Sequence, residues 1–454
     1  MIKRRSFLKT AGLVAAGTLI APGYNFAVKK RRRVVVLGAG LAGLSAAYRL
    51  QQMGFGVDVV EYQGRIGGRV LTYKPDPDEK FTVEMGGEWI GSSHKHIIQL
   101  IQDLGLKKEA HTFDTHLLYR GTHLKPGNWD FSNPAKKAVR EVIEKYQILP
   151  KHKRDEYDAM DWWRYLKNHG FDTRDLDLQD LVDSVSLGDS IRQTSALRSM
   201  RMYEAYGENN EMDFRIAGGN DSLCKALADK IGYQNIHLNQ QVIRVIQSPG
   251  GIKAFAYNGN VYEGDKLVCA LPVLAMRKIT WEPEFPVNRR EALNSLQYGR
   301  VTKTAYLFKK RFWQEDQFSL LSDEASHYVY HATRGQQGQH GVLMSQASGD
   351  RGTLMGSMNA KRRIETLADT LQPVFGDITP GFIKQNAYDW GRDSITMGSV
   401  ALYRPDQWLN VLPLLKKEQQ NIHFAGEHLG DWQGYMEGAV QSGIAAADQI
   451  AGGV

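Results

Sequence analysis

The 454-residue sequence predicts an α/β fold organised on a parallel sheet. Three observations carry that expectation. Val34-Val35-Val36-Leu37 is a short, continuously apolar run that passes through a glycine turn into a helical pattern; Val57-Asp58-Val59-Val60 reads as a second strand, ending in Glu61; Ile422–Ala425 reads as a third, buried one, leaving through Gly426-Glu427. A run of strand length without polar alternation, as at Val34–Leu37, suits a strand covered on both faces, as parallel strands are. The chain is too long for one simple core, so two domains are expected. With 42% apolar and 24% charged residues, disorder and fibrous structure are excluded.

At the N-terminus, Arg4-Arg5-Ser6-Phe7-Leu8-Lys9 precedes the uncharged stretch from Ala11 to Ala21. Residues 1–28 therefore have the form of a twin-arginine export leader, which predicts a periplasmic, exported protein. That stretch is far shorter than the roughly 20 apolar residues a bilayer span needs, and no other segment is longer, so no stable membrane span is expected. The net charge of +7 is local. Lys3, Arg4, Arg5, Lys9 and the Lys-Lys-Arg-Arg-Arg run at 29–33 exceed it, leaving a body of about −2. A broad basic face is not expected on so nearly neutral a body, and nucleic acid is not an expected partner. Cys224 and Cys269 have no metal or CxxC spacing, so no metal site is expected.

Gly38-Ala39-Gly40-Leu41-Ala42-Gly43 joins the first apolar run to the small-residue helix pattern Leu44–Leu50. Strand, GxGxxG turn and helix in this order make a Rossmann-like dinucleotide-binding unit. Gly38 supplies the tight turn, Gly40 admits a pyrophosphate against the backbone, and Gly43 permits close helix–strand packing. The helix N-terminus, at Leu41 and Ala42, turns unpaired N–H groups towards the phosphates. Glu61 lies 18 residues beyond Gly43, where a carboxylate accepts the hydroxyls of an adenosine ribose. Directly after it, Gly64-Arg65-Ile66-Gly67-Gly68-Arg69 offers backbone that presses on a ligand and guanidinium groups that meet phosphate oxygens.

The run from Val34 to Arg69 resembles the FAD-binding segment of the flavin amine oxidases, a family that includes monoamine, polyamine and L-amino-acid oxidases. The resemblance continues along most of the chain after residue 30. Met85-Gly86-Gly87-Glu88-Trp89-Ile90-Gly91 resembles the loop along the isoalloxazine ring, and Phe214-Arg215-Ile216-Ala217-Gly218-Gly219 the return into the FAD domain. Asn239-Gln240-Gln241-Val242 is similar to the strand whose valine backbone meets adenine, and Asp265–Pro272 to the strand leaving that domain. His423–His428 and Gly434–Val440 resemble the two C-terminal signatures.

The resemblance implies FAD as cofactor and roles for the matched residues. Gly68, Arg69, Gly86, Gly87, Glu88 and Trp89 would contact it, as would Val242; Glu427 would bind its ribityl or phosphate region, and the Met436 amide its C2 carbonyl. Lys303, in the strand-like Tyr298–Phe308, matches the family lysine that holds a water against flavin N5. Tyr435 matches one wall of an aromatic cage for a neutral amine, while Val400 stands where monoamine oxidases carry the second tyrosine. Trp390 matches a tryptophan near the flavin. Ser399 occupies the position of the cysteine that links flavin covalently in some relatives, so non-covalent FAD is expected. Gln63 stands where relatives usually have an FAD-contacting arginine. Trp89 replaces the arginine with which eukaryotic-type L-amino-acid oxidases grip the substrate carboxylate, although Arg334 or Arg392 offers another cation.

The FAD domain is expected from three discontinuous segments, 31–91, 213–272 and 418–454, interleaved with an α+β substrate domain from 92–212, read as largely helical, and 273–417. The implied reaction passes a hydride equivalent from the α-carbon of an amine to the flavin, giving an imine that hydrolyses to a carbonyl product and ammonia. O2, yielding H2O2, or an exported electron carrier would take the electrons, and a second copy of the chain is a candidate partner. The alternatives are an L-amino-acid oxidase and, from another class, a desaturase or porphyrinogen-type oxidase acting on C–C bonds, against which Lys303 and Tyr435 argue.

Overall fold

Val34 and Val36 turn to one face of strand β1 (Arg33–Leu37) and Val35 and Leu37 to the other, and all four are buried because each face meets a different core. That two-sided burial is why the run shows no polar alternation. In this computed structural model residues 32–76, 81–207 and 211–452 are described, so the expected export leader lies outside the described residues. Among them no helix is long and apolar enough to cross a membrane.

From β1 the chain enters α1 (Leu41–Gln52) and returns in β2 (Gly56–Val60). Three later strands join these two: β3 (Ile236–His237), β4 (Lys266–Cys269) and β5 (Ile422–Phe424), all parallel, in the order β5-β4-β1-β2-β3. Segments more than 350 residues apart in the chain thus share one sheet. Helix α2 (Met436–Gly452) follows β5 and lies on α1, where a Cβ on Gly443 would stand 2.2 Å from the Ala42 carbonyl oxygen. The opposite face is covered by an antiparallel meander over 242–264, whose Val245, Ile252 and Ala254 pack on Val35, Leu267 and Phe424.

A second, seven-stranded sheet has the strand Val301–Phe308 near one side, between Gly341–Ser348 and Phe382–Asp389, and every residue of that strand is buried. Its far side is formed by the hairpin Asp114–Tyr119 and Thr122–Leu124. Residues 92–212 are largely helical, as expected, but this hairpin interrupts them. The hairpin's Leu117 and Leu118 alternate into two different cores, a two-sided burial that its short, polar-flanked sequence does not advertise. Apart from the short strand Lys108–Ala110, which pairs with Phe214–Ile216, the other elements of this span are helical, including Thr173–Leu187 and Ala196–Tyr206.

Candidate active site

The turn after β1 is shaped by two glycines for different reasons. Gly38 has φ +98°, which L side chains rarely adopt, and donates its N–H to the Val60 carbonyl at 2.8 Å. Gly43 packs so closely that a Cβ would lie 2.0 Å from the Gly38 carbonyl oxygen; it does not line the cavity, in keeping with a packing role. The first N–H groups of α1 have no intrahelical acceptor, and Gly40 caps the helix without a side chain.

These elements border a cavity of about 530 Å³. It reaches from Glu61, Gln63 and Val242 past Gly40, Leu41 and Ala42 to Trp89, Lys303 and Tyr435. Gly68, Arg69, Gly86, Gly87, Trp390, Val400, Glu427 and Met436 line it too, so residues from distant motifs converge on one space.

Gly40 tests whether this space fits a dinucleotide. Its φ of −75° and ψ of 175° suit any residue, and a Cβ there would meet only the Gly68 Cα, at 3.9 Å. Neither backbone strain nor crowding within the protein requires glycine at this position. An added methyl would instead stand in the cavity, at the mouth of a helix N-terminus that attracts phosphate. Glu61 completes that end: its two oxygens accept the Ala39 and Gln63 amides, each at 2.7 Å, which leaves each oxygen a lone pair for a hydroxyl. Burial raises its pKa, opposed by those amides. The residues present fit an FAD-type cofactor.

Arg69 and Glu427 make contacts that the motifs alone do not reveal. Arg69 Nη1 donates to Glu427 Oε1 at 2.7 Å and to the Ser399 carbonyl at 2.7 Å, and Glu427 also accepts the Ala401 and Gly434 amides. Each would therefore present an already neutralised pair to the cofactor. Ser399 Oγ donates to the Gly299 carbonyl. Both cysteines are buried, burial pushes their thiols up to about 12, and neither lines the cavity.

Lys303 lies on the cavity wall with its side chain 4% exposed. Its three N–H donors meet the Glu84 carbonyl at 3.2 Å, the Gly86 carbonyl at 3.0 Å and Glu88 Oε2 at 2.7 Å, and its Nζ sits 5.3 Å from the Trp89 ring centroid. Glu88, expected against the cofactor, lines the cavity, and its buried carboxylate is held in this cluster, where His111 and Tyr330 also bond it. Burial pushes Glu88 up, but the Lys303 charge and the His111 bond outweigh that and hold it down at about 2. Glu84 sits behind it, driven up to about 7 by burial and by the Glu88 charge. Trp390 donates its indole N–H to the Met85 carbonyl at 2.7 Å, fixing the same loop.

Around Tyr435 the cavity wall comes from helices that sequence reasoning did not assign to the site. Tyr435 stands edge-on to Tyr206, with ring centroids 5.9 Å apart, and both line the cavity together with Ser186. Tyr203, Asp183 and Gln346 line the same end. The signal was present as Tyr203 and Tyr206 at helical i, i+3 spacing, which reads equally well as core packing. Val400 stands against Gly434 rather than offering an aromatic face. Arg334 and Arg392, considered as carboxylate-binding cations, do not line the cavity: Arg334 pairs with Asp316 and Arg392 with Asp389.

Known proteins resemble the chain over nearly its whole length. Residues 41–451 match the family described as flavin containing amine oxidoreductase. The L-amino-acid oxidase of Bungarus fasciatus is 26% identical over 92% of this chain and 86% of its own, and that of Naja atra 25% identical over 92% and 88%. Two solved structures share the fold: cyclohexylamine oxidase from Brevibacterium oxydans, with a TM-score of 0.83 at 24% identity, and putrescine oxidase bound to putrescine, with 0.82 at 22%. Each alignment covers 93% of this chain and 99% of the other.

Proposed function

Because the chain belongs to the flavin-containing amine oxidoreductase family, we propose that it is an FAD-dependent oxidase of amines that lack an α-carboxylate, with FAD bound non-covalently and O2 as acceptor. One observation carries the choice among amines. Of the cations that line the cavity, Lys303 is paired with Glu88 and Arg69 with Glu427, and the exposed Lys278 donates to the Ser394 carbonyl. No unpaired guanidinium among the described lining residues is left to grip a substrate carboxylate bidentately.

When bound, the flavin supplies the two-electron acceptor for the amine C–H. The chain's own residues do the rest. The α1 N-terminus and Glu61 hold the dinucleotide ends, Tyr435 and Trp89 enclose the amine, and Lys303 keeps a positive group at the Gly86 loop. Released imine hydrolyses to a carbonyl compound and ammonia.

The L-amino-acid oxidases among the relatives favour a second reading, oxidation of an L-amino acid to a 2-oxo acid. Anaerobic flavin bleaching separates the two. Aliphatic amines are expected to bleach the holoprotein and, on admission of air, to release H2O2, with L-amino acids at least about tenfold slower. Bleaching by L-amino acids alone would establish the second reading. Acid precipitation of the same sample is expected to leave the yellow colour in the supernatant, and a yellow pellet would refute non-covalent binding. Export through the leader at 1–28 belongs to the proposal; Arg4→Lys with Arg5→Lys is expected to retain the protein in the cytoplasm on fractionation, and unchanged export would remove it.

A further inference from the structure

Asp183 is a charged group of the cavity that the chemistry above does not use. It projects from the helix Thr173–Leu187 and lines the cavity at the end that holds Tyr203, Tyr206 and Tyr435. Its Oδ1 accepts the Tyr203 hydroxyl at 2.7 Å and the Gln179 amide at 2.9 Å, and its Oδ2 accepts the Trp162 indole N–H at 3.0 Å. All three donors are neutral. They fix the carboxylate's orientation, and among the described residues no cation forms an ion pair with it.

The other charged lining groups are differently placed. Lys303 and Arg69 each have a carboxylate partner, the exposed Lys278 donates to the Ser394 carbonyl, and Glu61 is held by two backbone amides at the dinucleotide end. Arg198, the cation nearest in influence, gives its hydrogen bonds to the Gln433 side chain and carbonyl and does not line the cavity. A half-buried carboxylate with no ion-pair partner is costly, and because it lines the cavity a cation arriving there can offset that cost. Burial accordingly drives its carboxyl up to about 6, opposed by the Tyr203, Trp162 and Gln179 bonds. Aromatic faces stand ready beside it: the Tyr203 and Tyr206 rings are 6.0 Å apart, and Tyr206 leads in turn to Tyr435.

We propose that Asp183 is a specificity-determining residue that receives a second, cationic group of the substrate, so that the preferred substrates are α,ω-diamines or other amines carrying a distal ammonium or guanidinium. This rests on the amine-oxidation reading above. One amine, neutral, lies at Tyr435, while the other, protonated, exchanges water for the Asp183 carboxylate. Selection comes from a charge pair formed in a water-poor cavity, where such pairs discriminate strongly.

The test compares straight-chain α,ω-diamines with n-alkylamines of the same chain length in anaerobic flavin bleaching. The wild-type holoprotein is expected to prefer the diamine, in reduction rate over apparent dissociation constant, by at least about tenfold at the best length. In Asp183→Asn that ratio is expected to fall to near one, and Asp183→Glu is expected to keep the preference while moving the optimum to a shorter diamine. A wild-type ratio near one, or a ratio that Asp183→Asn leaves unchanged, overturns the proposal. The wild-type measurement stands even if a variant misfolds. If alkylamines bleach the flavin and only the ratio fails, amine oxidation survives and this inference does not; if no amine of either kind bleaches it, both are lost.

Discussion

Replacing Lys303 by methionine is expected to slow flavin reoxidation or amine oxidation by about a hundredfold or more, with FAD still bound, because one fixed charge at a reacting centre is worth that much. Stopped-flow measurement of the two half-reactions reads it directly. The structure adds a complication. Lys303 compensates Glu88, whose side chain is fully buried and held ionised, so the single substitution strands a buried carboxylate at a cost of about 3–5 kcal/mol. Lys303→Met combined with Glu88→Gln removes both charges and is expected to recover the lost stability without recovering the rate. Unchanged rates in both half-reactions of the single variant would remove Lys303 from the chemistry. Recovery of the rate by the double variant would show that the stranded charge, rather than the missing ammonium, was the cause.

Two alanine substitutions in the same glycine turn are expected to fail in opposite ways. In Gly43→Ala the new Cβ collides with the Gly38 carbonyl oxygen at 2.0 Å and lies 3.1 Å from its carbon, both backbone atoms that cannot swing aside. A loss of about 3 kcal/mol is expected, visible as a lowered Tm of the apoprotein. Gly40→Ala meets nothing closer than 3.9 Å, so the apoprotein should keep its stability to within about 1 kcal/mol, the range set by a changed helix cap. Its affinity for FAD is expected to fall at least about tenfold, because the methyl occupies the space the pyrophosphate needs. Normal FAD loading of Gly40→Ala would show that no phosphate approaches the backbone there.

Much of this was legible in the chain itself. Val34–Leu37 announces a buried parallel strand because a strand covered on both faces has no polar side to show, and the structure pairs it in one sheet with the strands read at Val57–Val60 and Ile422–Phe424. Gly38 and Gly43 are required by a positive φ and a close approach within a few residues of themselves, so their reasons are local and visible in order. The ordered motifs made the family recognisable for the same reason, each being a short segment whose chemistry is self-contained.

Tertiary structure alone decided what those segments meet. Glu88 and Lys303 are separated by 215 residues and form a buried pair only because the Gly86 loop lies across the strand Val301–Phe308. A lysine on an alternating strand reads as solvated until the sheet covering it is known, and a glutamate in a flavin loop reads as a ligand contact until its cation is known. Asp183 and Tyr206 lie on helices whose periodicity records which face is covered but not by what, so packing and substrate contact leave the same pattern. The sequence by itself determined the parallel sheet, the glycine turn and the family, whose physical demands act over a few residues. Which charges neutralise one another and which one is left facing the cavity depended on contacts across hundreds of residues, where no periodicity carries the information.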